Sequence, residues 1–474
     1  MKERNYLIKL TLVSTLGGLL FGYDTAVISG TVSSLENFFV IPFGLNESDS
    51  NVRLGFLVSS ALIGCMIGGI GSGLISKWLG RRNGMILAAI LFLISAIGSA
   101  MPELFILPIG RANHTFFDLF IMYRIIGGIG VGLASMLSPL YISEIAPAEI
   151  RGRLVSLNQF AIIFGMLIVY FVNFYISRQG DDLWLKTIGW RYMFASEGIP
   201  ALLFLLFLFF VPDTPRSLIL KSKHNKAFEI LNKINGAERA NTISNEIYLS
   251  MNDRSGNLFS FGTSVILIGV FVAVFQQFVG INVVLYYAPE IFKSMGSGTD
   301  TALFQTIIVG SINLLFTVVA ILTVDKFGRK KLLVIGALGM ALSMIILGTL
   351  FSTNSIGLIA LLCMLFYVAS FAFSWGPVAW VIIAEMFPNK IRGKAMAVAV
   401  AAMWFSNYLV SWTFPMLDKN PYLITQFNHG FSYWIYGFMS ILAAFFVLKF
   451  VPETKGKTLE EIENIWKIKL NNKN

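Results

Sequence analysis

The feature that most constrains this chain is a series of apolar runs, each about 20 residues long, that short polar segments separate. A helix of about 20 apolar residues crosses the roughly 30 Å hydrocarbon core of a bilayer while its backbone satisfies its own hydrogen bonds. Charged residues make up 13% of the chain, against roughly 25% in soluble domains. We therefore predict an all-α membrane protein with twelve transmembrane helices, called spans 1 to 12, at approximately 8–28, 54–76, 84–102, 119–142, 155–176, 191–211, 261–289, 302–324, 332–352, 356–384, 394–416 and 431–451.

The basic residues predict the orientation of these spans. Most of the 36 lysines and arginines precede span 1 or follow an even-numbered span, and the loops after odd-numbered spans contain few of them. Because Lys and Arg accumulate in cytoplasmic loops, both termini are predicted to be cytosolic, and the chain is expected to be a multi-pass protein of the cell membrane. The net charge of +10 is distributed by side of the membrane and is not clustered in a groove, so we expect no nucleic-acid partner.

Three pairs of motifs indicate that the second half of the chain repeats the first. "SEIAPAEIRGRL" after span 4 matches "AEMFPNKIRGKA" after span 10, "VPDTP" after span 6 matches "VPETK" after span 12, and "LGRRN" after span 2 matches "FGRKK" after span 8. The copies lie about 240 residues apart, which predicts six spans repeated in parallel. We predict an N-terminal six-helix half (1–211), a cytosolic linker with short helices (212–260), a C-terminal six-helix half (261–451) and a cytosolic tail (452–474). Repeated bundles of this kind favour transport by alternating access, with a substrate site between the halves; a purely structural bundle or a channel is the alternative.

The chain also resembles a known family. The resemblance lies in "GGLLFGYDTAVISG", "YRIIGGIGVGLASMLSPLYISEIAP", "FQQFVGINVVLYYAPEIF", "VDKFGRK", "SWGPVAWVIIAEMFPNKIRGKA" and "VPETKGKTLEEIE", and it extends from about residue 6 to residue 466. These stretches resemble the sugar porter family of the major facilitator superfamily, in particular its bacterial D-xylose:proton symporters. The resemblance implies the twelve-helix major facilitator fold, monosaccharide transport and proton coupling, and it places the expected location in a bacterial inner membrane.

Three charged residues are predicted to lie inside the membrane. Asp24 is the one residue in the run from Ser14 to Gly30 that is charged at neutral pH, and a carboxylate at the centre of a membrane helix costs about 2.5–3.5 kcal/mol. Arg124 in span 4 is its obvious partner, and Glu197 in span 6 is expected at a similar depth. A carboxylate that either a proton or an arginine can neutralise is a two-state switch. The resemblance implies that Asp24 carries the coupling proton; a buried ion pair that only holds helices together is the alternative. Glu197 is expected to contribute to the coupling, with a fixed structural hydrogen bond as the alternative.

Amide and aromatic side chains are candidates for a sugar site, because amides match sugar hydroxyls and aromatic rings match the apolar faces of a sugar. The resemblance assigns the sugar contacts to Gln159, Gln276, Gln277, Asn282 and Trp380, and it assigns the cavity lining to Phe21, Tyr286, Asn313, Gly376 and Trp404. Interhelical hydrogen bonds and packing are the alternative for each of them. Met166 and Met403 replace glutamines of the similar xylose symporters, which leaves hexoses and other pentoses open as substrates.

Charged residues also lie at the predicted cytosolic ends of the spans: Arg81, Arg82, Glu144, Arg151, Asp325, Arg329, Glu385 and Arg392. Their paired repetition favours a cytosolic gate, in which salt bridges between the halves close the inner side. Solvated charges at helix ends are the alternative.

Together these features predict a proton-coupled monosaccharide symporter for D-xylose or a related pentose or hexose. A proton-independent facilitator of the same fold is the alternative. An enzyme is not expected, because no nucleophile or metal cluster emerges and the three histidines lie in loops. We expect no cofactor apart from protons as the coupling ion, a sugar and the lipid bilayer as partners, and function as a monomer.

Overall fold

The computed structural model describes residues 2–147, 150–251, 257–388, 390–455, 461–462 and 466. All regular secondary structure in these ranges is helical. Twelve helices within them are long and apolar enough to cross a membrane: Asn5–Gly30, Glu47–Trp78, Arg81–Ala100, His114–Ile145, Arg151–Ser177, Asp182–Leu208, Thr263–Tyr286, Thr299–Val324, Arg329–Ser352, Leu358–Met386, Arg392–Asp418 and Gly430–Phe450. The predicted all-α class and the predicted number of spans are confirmed, and these helices keep the names span 1 to span 12.

Several spans extend beyond the apolar runs that predicted them. Span 2 begins at Glu47, before the predicted start at 54, and its first turn contains Glu47 and Asp49. Acidic residues in a first turn are favourable because they face the positive end of the helix dipole. A helix therefore continues into polar sequence on either side of the apolar run, whereas hydropathy detects only the part that suits lipid.

Span 7 is interrupted at a glycine. One helix ends at Phe278 and the next begins at Ile281, and Gly280 between them has a φ of +93°. This is a left-handed conformation that favours glycine. A Cβ atom at Gly280 would lie 2.6 Å from Cγ of Tyr436, so both the backbone and the packing require glycine here. Broken helices of this kind are typical of binding sites in transporters.

Two further spans are discontinuous. Span 10 consists of Leu358–Ala372 and Trp375–Met386, and the inner part of span 6 consists of Trp190–Ser196 and Gly198–Leu208, with Glu197 at the junction. Shorter helices lie outside the spans: Pro215–Leu220, His224–Asn235, Ala237–Met251, Ala288–Ser294 and Pro421–Phe427.

The chain contains two compact units. Unit 1 comprises Met1–Val27, Ser60–Val172 and Thr187–Arg254. It includes spans 3 and 4 and the three helices of the predicted linker.

Unit 2 comprises Ile28–Ser59, Asn173–Lys186 and Ser255–Asn474. Spans 7 to 12 belong to it, together with the ends of earlier spans that lie on the predicted outer side of the membrane. The predicted domain boundaries at 211 and 261 stay a prediction.

Candidate functional site

Asp24 and Arg124 form a buried ion pair inside unit 1. Arg124 Nη1 donates to Asp24 Oδ1 at 2.7 Å, and Arg124 Nη2 donates to the Asp24 carbonyl oxygen at 3.3 Å. Their side chains are 0% and 1% exposed. A buried carboxylate is stable when a cation compensates it with good geometry, so the structure brings together the two charges that the sequence predicts to be partners.

Glu197 lies beside this pair. Its side chain is fully buried, and its carboxyl group is within hydrogen-bonding reach of the Asp24 carboxyl group. Among the described residues, no N–H or O–H group donates to either oxygen of Glu197 or to Oδ2 of Asp24. Two adjacent carboxyl groups in an apolar interior are satisfied when they share one proton. The arrangement can therefore hold a proton between Asp24 and Glu197.

A second buried ion pair in unit 1 was not predicted as a pair. Arg191 Nη1 contacts both Glu103 oxygens, at 2.8 and 3.0 Å, and Gly110 N donates to Glu103 Oε1 at 2.6 Å. Glu103 is completely buried. The sequence signal was an acid and an arginine at the predicted outer ends of spans 3 and 6. This pair fixes the segment that follows span 3.

In unit 2, the break in span 7 brings amide side chains together. Asn282 Nδ2 donates to Gln277 Oε1 at 2.6 Å across Gly280. Gln276 Nε2 donates to the carbonyl oxygens of Trp375 and Gly376, at 3.1 and 3.3 Å, so it contacts the break in span 10. Oε1 of Gln276 is buried and accepts no hydrogen bond from a described residue. The cluster thus has an acceptor that a ligand hydroxyl can use.

The other predicted lining residues of unit 2 lie on spans 7, 8, 10 and 11. Asn313 and Trp404 are buried, and Trp380 is half-buried. Tyr286 OH accepts a 3.4 Å hydrogen bond from Nδ2 of Asn407. Sequence reasoning missed Asn407, although a buried amide one turn beyond Met403 was the signal that could have found it.

Three predicted residues of the sugar site belong to unit 1. Gln159 and Phe21 are half-buried, and Met166 is buried. The backbone nitrogen of Met166 lies 3.1 Å from the position that a Cβ atom would take on Gly22. Spans 1 and 5 therefore pack closely at this glycine.

The charged residues at the cytosolic end of unit 1 form a connected cluster. Arg81 Nη2 donates to Glu144 Oε1 at 2.7 Å, and Thr214 Oγ1 donates to Glu144 Oε2 at 2.5 Å. The backbone N–H groups of Arg81 and Arg82 donate to Oδ1 of Asp213. Asp213 therefore satisfies the N-terminus of span 3, where a carboxylate is favourable.

The same arrangement recurs in unit 2. Arg329 donates to both oxygens of Glu385, at 3.0 and 3.2 Å, and Thr454 Oγ1 donates to Glu385 Oε2 at 2.6 Å. The backbone N–H groups of Arg329 and Lys330 donate to Glu453 at 3.1 Å. The repeated sequence motifs therefore correspond to repeated structure.

The remaining described gate residues donate to backbone carbonyl oxygens within their own unit. Arg82 Nε donates to the Leu208 carbonyl oxygen at 2.9 Å, Arg151 donates to that of Ala146 at 3.4 Å, and Arg392 donates to that of Phe387 at 3.2 Å. The side chain of Asp325 lies outside the described residues. Of the two described ion pairs among the predicted gate residues, one lies within unit 1 and the other within unit 2. Salt bridges between the halves stay a prediction.

Comparison with known proteins gives consistent matches over nearly the whole chain. The family model described as "Sugar (and other) transporter" matches residues 10–466. The D-xylose-proton symporter of Escherichia coli (strain K12) is 62% identical over 471 residues, which cover 98% of this chain and 96% of that protein. The glucose facilitated diffusion protein of Zymomonas mobilis is 42% identical, with 97% of each chain covered.

A solved structure agrees with the fold. The inward-open xylose transporter of Escherichia coli has 60% identity and a TM-score of 0.88, with 97% of this chain and all of the other covered. The twelve-helix fold predicted from the sequence is therefore confirmed. These matches are to transporters, and the expectation that the chain is not an enzyme is likewise confirmed.

Proposed function

Since the chain belongs to the sugar transporter family, we propose that it is a proton-coupled monosaccharide symporter that works by alternating access. The observation that carries this proposal is the fully buried pair of Asp24 and Arg124 with the Glu197 carboxyl group beside it. D-xylose is the first candidate substrate, because a relative that is 62% identical is named a D-xylose-proton symporter. Multi-pass insertion in a bacterial inner membrane follows from the same relationship.

Asp24 can be neutralised in two ways. When it is ionised, Arg124 compensates its charge at 2.7 Å; when it is protonated, it no longer needs a counter-ion. Because an uncompensated charge is costly inside a membrane, an ionised Asp24 stays paired with Arg124, and protonation of Asp24 allows the two side chains to separate. We propose that the sugar-loaded protein changes state readily only with the proton on Asp24, and that Glu197 shares this proton.

The proposed sugar contacts are amides and one aromatic ring. In unit 2 they are Gln276, Gln277, Asn282 and Trp380, and in unit 1 the proposed contact is Gln159. The free acceptor on Gln276 supports this assignment, since a sugar hydroxyl can donate to it. The proposed lining residues are Phe21, Tyr286, Asn313, Gly376 and Trp404.

Met166 and Met403 affect which sugars the proposed pocket can bind. A thioether is only a weak acceptor and does not donate, so these positions cannot form the hydrogen bonds of a glutamine. A pocket with fewer hydrogen-bonding groups satisfies fewer sugar hydroxyls, and we therefore propose a pentose or hexose and not D-xylose alone.

The alternative function is proton-independent diffusion of the same sugar. A relative that is 42% identical is named a glucose facilitated diffusion protein, so family membership is compatible with it. The carboxylate at position 24 favours symport. It costs free energy inside the membrane, and a facilitator does not need to bind a proton there.

We further propose that the chain functions as a monomer, since the repeated halves that alternating access requires are contained in one chain. The cytosolic charges are proposed to help close the inner side: Arg81, Arg82, Glu144, Arg151, Asp325, Arg329, Glu385 and Arg392.

Uptake by proteoliposomes tests the function. Wild-type protein is expected to accumulate D-xylose, or another sugar from a panel with glucose, galactose and arabinose, only when an inward proton gradient is present. Asp24→Asn keeps a similar shape but cannot ionise. It is expected to bind and exchange sugar and to lose accumulation.

Glu103→Gln is the matched control, because it also removes one partner of a buried ion pair in unit 1. This variant is expected to retain gradient-driven accumulation, and thermal stability is measured for both variants. A stable Asp24→Asn protein that still concentrates sugar would reject Asp24 as the proton carrier. Wild-type uptake that ignores the gradient would support the facilitator.

A further inference from the structure

Ser95 in span 3 differs from most buried hydroxyl groups of this protein. Ser14 Oγ, Ser343 Oγ and Ser440 Oγ each donate to the carbonyl oxygen four residues earlier in their own helix, at 2.8 to 2.9 Å. Ser95 is 0% exposed, and its Oγ has no hydrogen-bond partner in the part of the chain that the structure describes. Buried hydroxyl groups are normally satisfied, so the orientation of Ser95 requires a reason.

The hydroxyl group of Ser95 lies close to the Asp24 carboxylate. Gly127 in span 4 lacks a side chain, and the position that a Cβ atom would take there touches Ser95 Oγ and lies 3.3 Å from Asp24 Oδ1. Gly127 follows Arg124 by three residues and therefore shares its helix face. A side chain at Gly127 would therefore contact both the hydroxyl group of Ser95 and the carboxylate of the ion pair.

The unpartnered atoms in this region are complementary. Ser95 is a donor without an acceptor, whereas Asp24 Oδ2 and both Glu197 oxygens are acceptors without a donor among the described residues. A donor stabilises an ionised carboxylate more than a protonated one. A hydroxyl group can fill this role without adding a second charge to the membrane interior.

We propose that Ser95 is a positioning residue of the proton site, whose hydroxyl group donates to the Asp24 or Glu197 carboxylate after the proton has left. The bond forms directly, after rotation about χ1, or through one ordered water molecule. Ser95 keeps its own proton throughout, and the coupling proton passes only to and from the carboxyl groups. The inference rests on the proposed proton coupling and adds to it the group that sets the pH at which the proton is released.

Other groups that face the carboxyl pair come from four spans. Arg124 approaches from span 4 and is always charged. The thiol of Cys65 in span 2 interacts electrostatically with Asp24, and the phenol of Tyr23 in span 1 interacts electrostatically with Glu197 and is 2.8 Å from Ser196 Oγ in span 6. Replacing Ser95 therefore removes one donor and changes no charge in the site.

The pH dependence of gradient-driven sugar uptake tests this role in Ser95→Ala. Without the hydroxyl donor, the ionised state is less favourable and the proton binds more readily, so the uptake midpoint is expected to move about one pH unit higher. Ser14→Ala is the matched control, because Ser14 is equally buried in unit 1 but donates to Leu10. Its midpoint is expected to equal that of the wild type.

A second variant covers the case in which Ser95→Ala does not fold. Ser95→Cys preserves the approximate size and offers a weak donor, so its midpoint is expected to move in the same direction by a smaller amount. A wild-type midpoint in a folded Ser95 variant would overturn the inference and leave proton coupling intact. Wild-type uptake that does not depend on a proton gradient would overturn the proposed function itself.

Discussion

Lys419 Nζ lies 2.7 Å from both carboxylate oxygens of Glu36, and this ion pair joins two distant parts of unit 2. Glu36 follows span 1, and Lys419 follows span 11. Two further hydrogen bonds connect the same regions: Asn51 Nδ2 donates to the Lys419 carbonyl oxygen at 3.1 Å, and Trp412 Nε1 donates to the Val52 carbonyl oxygen at 3.2 Å. The ion pair and these two hydrogen bonds therefore hold the segment between spans 1 and 2 against the end of span 11 on the predicted outer side.

Glu36→Gln is expected to weaken the contact between the segment after span 1 and the end of span 11. Because the pair is partly exposed, its loss should cost at most about 1 kcal/mol, which corresponds to up to roughly fivefold faster local opening. Hydrogen–deuterium exchange of residues 32–43 measures the change. The charge-reversed double variant Glu36→Lys, Lys419→Glu is expected to restore the wild-type rate. If the double variant exchanges as fast as Glu36→Gln, the ion pair is not what holds the segment.

Gln276→Ala is expected to weaken sugar binding by about fivefold or more. It removes an acceptor from the proposed site, and a ligand hydroxyl that is left buried without a partner costs about 1–3 kcal/mol. Isothermal titration calorimetry with D-xylose measures the affinity. Gln305→Ala is the control, since the Gln305 side chain accepts a hydrogen bond from Ser297 away from this cluster. Equal affinity in the wild type and Gln276→Ala would remove Gln276 from the site.

Met403→Gln tests the substrate preference. Met403 is buried one turn before Asn407 in span 11, and a glutamine there could donate to a sugar hydroxyl. The preference for D-xylose over glucose should rise by about one hydrogen bond, 0.5–1.5 kcal/mol. Competition binding measures the affinity ratio, and Met403→Leu, which conserves volume without adding a donor, should leave it unchanged. The idea fails if the glutamine and leucine variants have the same ratio.

His429 is expected to stabilise the protein in a pH-dependent way. It lies outside the spans, and the hydrogen bond from its Nδ1–H to Asp418 Oδ1 at 3.3 Å raises its pKa above the ordinary value of 6.5. A raised folded-state pKa means that the stabilisation is complete below about pH 6.5 and is lost as the pH rises through the folded-state pKa.

His429→Asn tests this effect, because asparagine tolerates the φ of +65° at this position and does not titrate. Thermal unfolding should show a larger difference between the wild type and the variant at about pH 5.5 than at about pH 9. A difference that is the same at both pH values would show that packing, and not the charge of His429, accounts for it.

The sequence by itself determined the membrane spans and the buried charges that pair within them. Apolar length identifies every span, because a membrane helix must satisfy its backbone by itself. The lone charges Asp24 and Arg124 could be matched as partners because an uncompensated charge is costly in an apolar interior.

Only the tertiary structure decided which groups meet when many partners are equally plausible. Glu36 and Lys419 are ordinary loop charges in the sequence, and only folding places them 2.7 Å apart. Ser95 is one of many serines in apolar helices, and its unpartnered hydroxyl group becomes visible only from the packing around Gly127. Hydropathy depends on each segment alone, whereas these contacts depend on how helices that are distant in sequence rotate and pack against each other.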